Sequence, residues 1–395
     1  MKFICPYCFS TLENSDEFSY IDGKRKCPRC GKLLPEDYGQ YDVKFISVIG
    51  ITGSGKTVYL SQLLKNLQTE LSGIGMNMVG NLQLLDDFVN DNKIEAGKPL
   101  PYSTPIEIQQ PMIVTIEKAT DQSRCMLVLY DVAGELFTSH LVAELPCFAP
   151  FITHSDGIIV LIDPFQCAGI ANAEMKKQRY EDSTQVIKSM IGFLNNKDIP
   201  VAVCMSKCDE ITPEIFSNIE EILDKRERHL GIPDSNTAES YLPVLDADLF
   251  NEYEKDVKRF FEVYAMNITT IMNAYFENFA YFLITALGCD VNVNLPLGPL
   301  VPKRIADPLV WLLYKLNIIS ASGKVFNPMI YIEPRCPYCG DENIIKLRNP
   351  HIEVTPQSGF MNKLWHKTEK CSFEYQCGNC KQYFNYNYDN EDEEE

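Results

Sequence analysis

One octapeptide constrains this chain more than anything else in it: Gly50-Ile-Thr-Gly53-Ser-Gly55-Lys56-Thr57. It follows Lys44–Ile49, an apolar, β-branched run that reads as a buried strand. It leads into Val58-Tyr-Leu-Ser-Gln-Leu-Leu-Lys-Asn-Leu67, whose apolar spacing is helical. Strand, glycine-rich turn and helix in that order make a phosphate-binding loop. Glycines let successive backbone N–H groups turn inward at a helix N-terminus, where partial positive charge favours an anion. The segment Gly50, Thr52, Gly53, Ser54, Gly55 through Val58 would wrap nucleotide phosphates, with Lys56 on the β- and γ-phosphates and the Thr57 hydroxyl on Mg²⁺. The expected fold is α/β, a mainly parallel sheet flanked by helices, with ligand at the strands' C-terminal edge.

Three further strands are expected, and two of them end in polar motifs. Cys125–Tyr130 is an apolar run closed by Asp131-Val-Ala-Gly134-Glu135. A carboxylate at a strand end above the loop can hold Mg²⁺ through water, and the Gly134 N–H can meet a γ-phosphate. Gly157–Asp163 and Ile199–Met205 are two more strands at α/β spacing. The second runs into Ser206-Lys207-Cys208-Asp209. A carboxylate at Asp209 could accept two hydrogen bonds from guanine N1–H and N2–H₂, a donor pair that adenine lacks, with Lys207 over the base. Equally, Asp209 could be an ordinary cap at a strand exit.

In this order, Gly50–Thr57, Asp131–Gly134 and Ser206–Asp209, with Thr285-Ala286 as a base-contacting turn, resemble the translation-factor and Ras-like class of GTPases. The texture of Tyr130–Glu135, Ser155–Pro164 and Arg304–Leu313 resembles the bacterial double-GTPase families. The resemblance spans about residues 41 to 320. It implies a GTP- and Mg²⁺-dependent switch that signals to a protein partner, an activator or effector encoded nearby, in a conflict or defence system. Two positions depart from the class. Glu135 stands where a water-orienting Gln is common, and its charge beside a γ-phosphate is unfavourable unless screened. Hydrolysis would then be slow without a partner, or the chain would be a nucleotide-bound scaffold that does not hydrolyse. Thr104, in Pro99-Leu-Pro-Tyr-Ser-Thr104-Pro, is placed for an Mg²⁺-sensing switch threonine; Ser103 is its rival, and a rigid Pro-rich turn is the plain alternative.

The chain has fifteen cysteines, and four Cys-x-x-Cys pairs where scattering would give roughly 0.6. Cys5/Cys8 and Cys27/Cys30 lie 18 residues apart, a zinc-ribbon spacing in which two knuckles share one tetrahedral Zn²⁺. Cys336/Cys339 and Cys377/Cys380 lie 37 apart and read as a second ribbon with an extended hairpin, Cys371 being a spare or alternate ligand. Cys125, Cys147, Cys167, Cys204, Cys208 and Cys289 lie in or beside apolar runs and are expected as buried small hydrophobes. Either ribbon could be structural, a protein-docking module or a nucleic-acid reader. Residues 1 to 37 balance six basic against six acidic residues, so the basic footprint of a nucleic-acid reader is missing.

Charge and hydropathy bound the rest. The formal net charge of −18 repels polyanions, and the six acids of Asp389–Glu395 account for only part of it. No stretch approaches the length of a spanning helix and the N-terminus lacks a secretory signal, so a cytoplasmic protein without membrane contact is expected. The expected organisation is an N-terminal zinc ribbon over 1–37, a GTPase domain over 41–325, a C-terminal ribbon over 331–388 and a disordered acidic tail over 389–395. The stretch from about 211 to 278 exceeds an ordinary α/β connection and reads as a helical insertion, either partner-binding or scaffold.

Overall fold

In the computed structural model the described residues are 3–12, 19–21, 24–80, 82–101, 111–119, 121–134, 150–167, 169–170, 184–194, 198–213, 215–224, 244–292, 295–322, 339, 344–346, 351–356, 367–377 and 379–389. They fall into two compact units, Met1–Val325 and Phe326–Glu395.

The first unit opens on two small hairpins, β1 (Phe3–Ile4) with β2 (Thr11–Leu12) and β3 (Ser19–Ile21) with β4 (Lys24–Lys26). Its centre is a seven-stranded sheet. Five neighbouring strands are parallel: β12 (Phe279–Leu283), β10 (Val201–Met205), β9 (Gly157–Ile162), β5 (Asp42–Ile49) and β8 (Arg124–Asp131). The two strands at one edge, β7 (Met112–Lys118) and β6 (Met76–Val79), run antiparallel to their neighbours. The sequence reading did not anticipate this antiparallel edge. The parallel strands read as continuous apolar runs because both of their faces are covered, and all of β9 and β10 is buried.

β5 lies between β8 and β9; the chain leaves it for the far edge at β6, returns through β7 to β8 and then crosses to β9, so strand order reverses at β5 and a crevice opens above it. Helix α1 (Lys56–Gly73) leaves that crevice with Tyr59, Leu60, Leu63, Leu64, Leu67 and Leu71 buried along one face. Helix α2 (Gln83–Asp91) packs against α1 and β7. Further helices are α3 (Thr184–Phe193), α4 (Ile219–Asp224), α5 (Ala247–Tyr264) and α6 (Met266–Tyr275). Asp246 caps α5 by accepting from the Leu249 N–H, and α5 and α6 form a helical stretch before β12. That stretch also contains β11 (Val244–Asp246), which pairs in parallel with β15 (Ser320–Ser322) after α7 (Asp307–Lys315). Residues 307–313 of α7 are buried, and Leu312 meets Gly157 so closely that a side chain at 157 would crowd it. A short hairpin, β13 (Val291–Asn292) and β14 (Leu295–Pro296), lies between β12 and α7.

The second unit is a four-stranded antiparallel sheet: β18 (Lys367–Cys377) is flanked by β19 (Tyr383–Asp389) and pairs in turn with β16 (Ile344–Lys346) and β17 (His351–Pro356). Asp389, expected at the head of the acidic tail, is the last residue of β19, and 390–395 lie outside the described residues. Among the described residues no helix is long and apolar enough to cross a membrane.

Candidate functional site

All five parallel strands end on the same edge, and each hands its next residue to one site: Gly50 after β5, Val132 after β8, Asp163 after β9, Ser206 after β10 and Ile284 after β12. Above β5 the chain turns through Gly53 and Gly55, both at φ 83, a conformation only glycine adopts cheaply. Added at Gly53, a Cβ would meet open space; at Gly50 it would strike Ser54 Oγ at 2.4 Å and Leu161 O at 2.6 Å. The loop is therefore pinned at its base and open at its crown. Gly55 is also the N-cap of α1, so the helix N-terminus faces that crown. Lys56 is buried, and its ammonium donates to Gly50 O at 2.8 Å and Ile51 O at 3.1 Å, folding its side chain back along the loop.

Thr57 donates to Asp131 Oδ2 at 2.9 Å, which joins the first turn of α1 to the end of β8. Gly134 presses on the loop: a Cβ there would lie 2.4 Å from Thr52 N, 2.6 Å from Ile51 C and 2.9 Å from Lys56 Nζ. Ser206 is buried and donates to Ser54 O at 2.8 Å and Ile162 O at 3.0 Å, tying the β10 exit to the loop and to β9. Lys207 adopts φ 51, left-handed for a side-chain-bearing residue, and pairs with Asp163 Oδ2 at 2.6 Å. Beyond it, Asp209 Oδ2 accepts from Gly288 N–H at 3.1 Å, an N–H that Thr285 Oγ1 also accepts at 3.2 Å.

A cleft of about 480 Å³ runs from Ser54, Gly55 and Val58 to Lys207, Asp209, Ala286 and Leu287, with Leu100, Cys289 and Val291 completing its wall. Its size is that of a small-molecule site. Gly50 to Val58, Asp131, Gly134, Ser206, Lys207, Asp209, Thr285 and Ala286 thus converge on one sheet edge. Thr104 and Glu135 lie outside the described residues. Cys125, Cys167, Cys204 and Cys208 are buried as expected, and Cys147 is outside the described residues. Cys289 departs from that expectation: it is half-buried and lines the cleft, because β12 ends at Leu283 and the chain has left the core by residue 289.

Residues that the sequence reading left without a role also sit here. Asp163 is buried; one of its oxygens takes Lys207 and the other accepts from the Phe165 N–H at 2.9 Å. Gln166 donates to Thr52 O at 3.1 Å. The one available signal was positional: Asp163 ends an apolar strand just as Asp131 does.

The cysteines form two clusters. Cys5, Cys8, Cys27 and Cys30 bring four sulfurs within 4.8 Å of one another, and Cys339, Cys377 and Cys380 bring three; Cys336 lies outside the described residues. Cys5 and Cys30 are 3.8 Å apart, Cys8 and Cys27 3.8 Å, and Cys339 and Cys377 3.6 Å. Four thiolates about 2.3 Å from a tetrahedral ion are about 3.8 Å from each other, so the clusters fit Zn²⁺. Three knuckles repeat one turn, in which the residue four after the first cysteine is left-handed (Phe9 φ 56, Gly31 φ 73, Lys381 φ 61) and its N–H returns to that cysteine's carbonyl. Burial alone pushes the Cys27 thiol up, but the N–H groups of Cys30 and Arg29 outweigh it and hold it at about 7. In the other cluster the Cys380 N–H leads in holding Cys377 at about 7.

The N-terminal cluster is docked on the sheet. Tyr130, one residue before Asp131, donates to Pro6 O at 2.6 Å, and Phe9 packs among Phe45, Tyr130, Phe151 and His154. Tyr130 and Phe151 stack at 4.4 Å, and Thr115 donates to Asp37 Oδ2 at 3.1 Å.

A mainly parallel sheet with a glycine loop at its reversal point, a lysine folded along that loop, a Thr–Asp pair beside it and a cleft of small-molecule size defines a P-loop nucleotide-binding protein. Residues 44–240 match the model of the family described as Double-GTPase 2, and the chain belongs to the P-loop GTPases. It is also similar to SaeC of Mycolicibacterium smegmatis, whose name gives it a candidate role in ESX-1 scaffolding and assembly: 23% identity over 321 residues, 72% of this chain and 78% of that protein.

Proposed function

We propose that this chain is a cytoplasmic guanine-nucleotide switch that slowly hydrolyses GTP and passes its nucleotide state to a protein partner. The observation that carries this reading is the continuity of one cleft from the P-loop to Asp209 and Ala286. Asp209 would accept the guanine N1–H and N2–H₂, the Ala286 N–H would meet the base oxygen, and Lys207 would lie along the base. Lys56 and the backbone N–H groups of Gly53 to Thr57 would take the phosphates, with Gly134 against the same loop. Thr57 and Asp131 fit Mg²⁺, which when bound draws charge from the phosphate oxygens. Thr104 is the candidate switch threonine and Glu135 the candidate for orienting water. With GTP, the Thr104 segment and 131–150 would take one arrangement and with GDP another, and the partner would read the difference.

Calorimetric titration of metal-replete protein with GDP and with ADP, each with Mg²⁺, tests the reading. Tight GDP and negligible ADP binding is expected, with GDP binding lost in Lys56→Ala. ADP binding as well as GDP would reduce Asp209 to a strand exit and overturn the guanine assignment.

A second reading, a nucleotide-bound scaffold that never hydrolyses, is favoured by Glu135 and by the scaffolding name of SaeC. Multiple-turnover phosphate release that vanishes in Lys56→Ala would exclude it. On either reading the partner is a protein, with a bacterial conflict or defence setting as the proposed context. The ribbons would stabilise the fold or dock that partner, and the acidic surface disfavours nucleic acid.

A further inference from the structure

The Asp163–Lys207 pair is unlike the other ion pairs between described residues. Lys93–Glu95, Lys98–Glu95, Arg124–Glu117 and Lys303–Asp224 each have an exposed partner; this one links a carboxylate 2% exposed to a lysine 27% exposed on the wall of the cleft. Arg304–Asp307, the other buried pair, spans three residues at the start of α7 and takes no part in the cleft. Asp163 and Lys207 are 44 residues apart and leave neighbouring strands, β9 and β10, which run in register side by side. The carboxylate is itself fixed, because Oδ1 accepts from the Phe165 N–H. The short helical turn it caps, Pro164–Gln166, is anchored to the P-loop through Gln166 and Thr52.

Lys207 has two constraints of its own. Its backbone is left-handed, which costs a side-chain-bearing residue energy and persists only where the surroundings impose it. Its stem lies against the P-loop: a Cβ built on Gly55 would be 3.8 Å from Lys207 Cε. A lysine with four rotatable bonds, left to itself in a wet cleft, would sample many rotamers, and freezing them would count against ligand affinity. Here the ammonium is already held on a buried carboxylate, so the stem crosses Gly55 as a preformed apolar bar between the phosphate end and the base end of the cleft.

We propose that Asp163 is a positioning residue of the nucleotide site, which preorganises Lys207 across Gly55 and thereby sets affinity for the nucleotide without reading the base. The inference rests on the guanine-nucleotide reading of the cleft. It divides the labour between two strand ends: Asp163 after β9 fixes the bar, and Asp209 after β10 discriminates the base.

The test is a double-mutant cycle on the full chain with GDP and IDP, which lacks the guanine 2-amino group. Asp163→Asn is the informative substitution, since the amide oxygen still accepts from the Phe165 N–H and only the ion pair is lost. We expect Asp163→Asn to weaken GDP binding about tenfold, and to change it less than about twofold when Lys207 is already alanine. The GDP-to-IDP affinity ratio should stay at its wild-type value in Asp163→Asn, whereas Asp209→Ala should collapse it. An equal loss in both Lys207 backgrounds, unchanged GDP affinity in Asp163→Asn, or a ratio that falls with the affinity would overturn the proposal. Should Asp163→Asn not fold, Asp163→Ser, whose hydroxyl can still accept from the Phe165 N–H, carries the same cycle: GDP binding weakened only when Lys207 is present, with the ratio intact, supports the bar, and unchanged binding or an equal loss in both Lys207 backgrounds overturns it. Wild-type protein that binds neither nucleotide would instead sink the guanine reading itself.

Discussion

Gly134 illustrates how little room the site leaves at single positions. Its Cα lies so close to the P-loop that one methyl group would overlap the Thr52 N–H and the Ile51 carbonyl carbon, both backbone and unable to rotate away. Gly134→Ala must therefore displace the loop or the end of β8, and overpacking of that kind costs about 1 to 3 kcal/mol. GDP affinity should fall by tenfold or more, measured by calorimetry, together with a lower unfolding midpoint; full retention of both would mean the loop is not held against Gly134. The sequence marked this glycine through its place after Asp131, but its closeness to the loop comes from β5 and β8 lying side by side. Lys207 shows the opposite. Its motif suggested a side chain over the base, while its tie to Asp163 was invisible because the partner comes from another strand.

At the scale of elements, the N-terminal cysteine cluster and the central sheet share a boundary that runs through Tyr130. The N-terminal segment is too short to build a core of its own, so its fold would depend on metal and on docking. Phe9 provides the joint: it sits in the left-handed position of its knuckle and packs among four aromatic rings, Phe45 and Tyr130 on the sheet and Phe151 and His154 on the short helical turn Pro150–His154. Chelation of zinc should lower the unfolding midpoint of the nucleotide-binding unit, and Phe9→Ala should lower the unfolding free energy of metal-replete protein by about 2 kcal/mol, less than the roughly 3 to 5 kcal/mol of a fully buried Phe because Phe9 is only half-buried. A midpoint indifferent to chelation would show that ribbon and sheet are energetically independent. Zinc retention should also depend on pH with a definite sign. Thiolates, not thiols, hold the ion; surrounding N–H groups hold Cys27 and Cys377 down at about 7, while burial pushes Cys5 and Cys30 of the first cluster up. Zinc is therefore retained at higher pH and released as pH falls, which a chromogenic chelator can follow. Cysteine spacing made the clusters legible. The docking was not legible, since Phe9 reads in sequence only as one more aromatic residue.

At the scale of the whole molecule, every described residue of the nucleotide cleft belongs to the unit Met1–Val325, and the second cysteine cluster belongs to Phe326–Glu395. A chain ending at Val325 should bind GDP within about twofold of the full protein, because every described residue lining the cleft lies before that point. A tenfold loss on truncation would mean that the second unit contributes to the site. The sequence by itself determined the α/β class, the P-loop, the order of the strand-end motifs and the cysteine pairs. These are local signals, in which turn chemistry, apolar run length and ligand spacing are each complete within a few dozen residues. Only the tertiary structure decided the antiparallel edge, the placement of Cys289 on the cleft wall, the docking of Phe9 and the pairing of Lys207 with Asp163. Those depend on which strands become neighbours and in what register, and sequence periodicity shows which face is apolar without showing what it will meet.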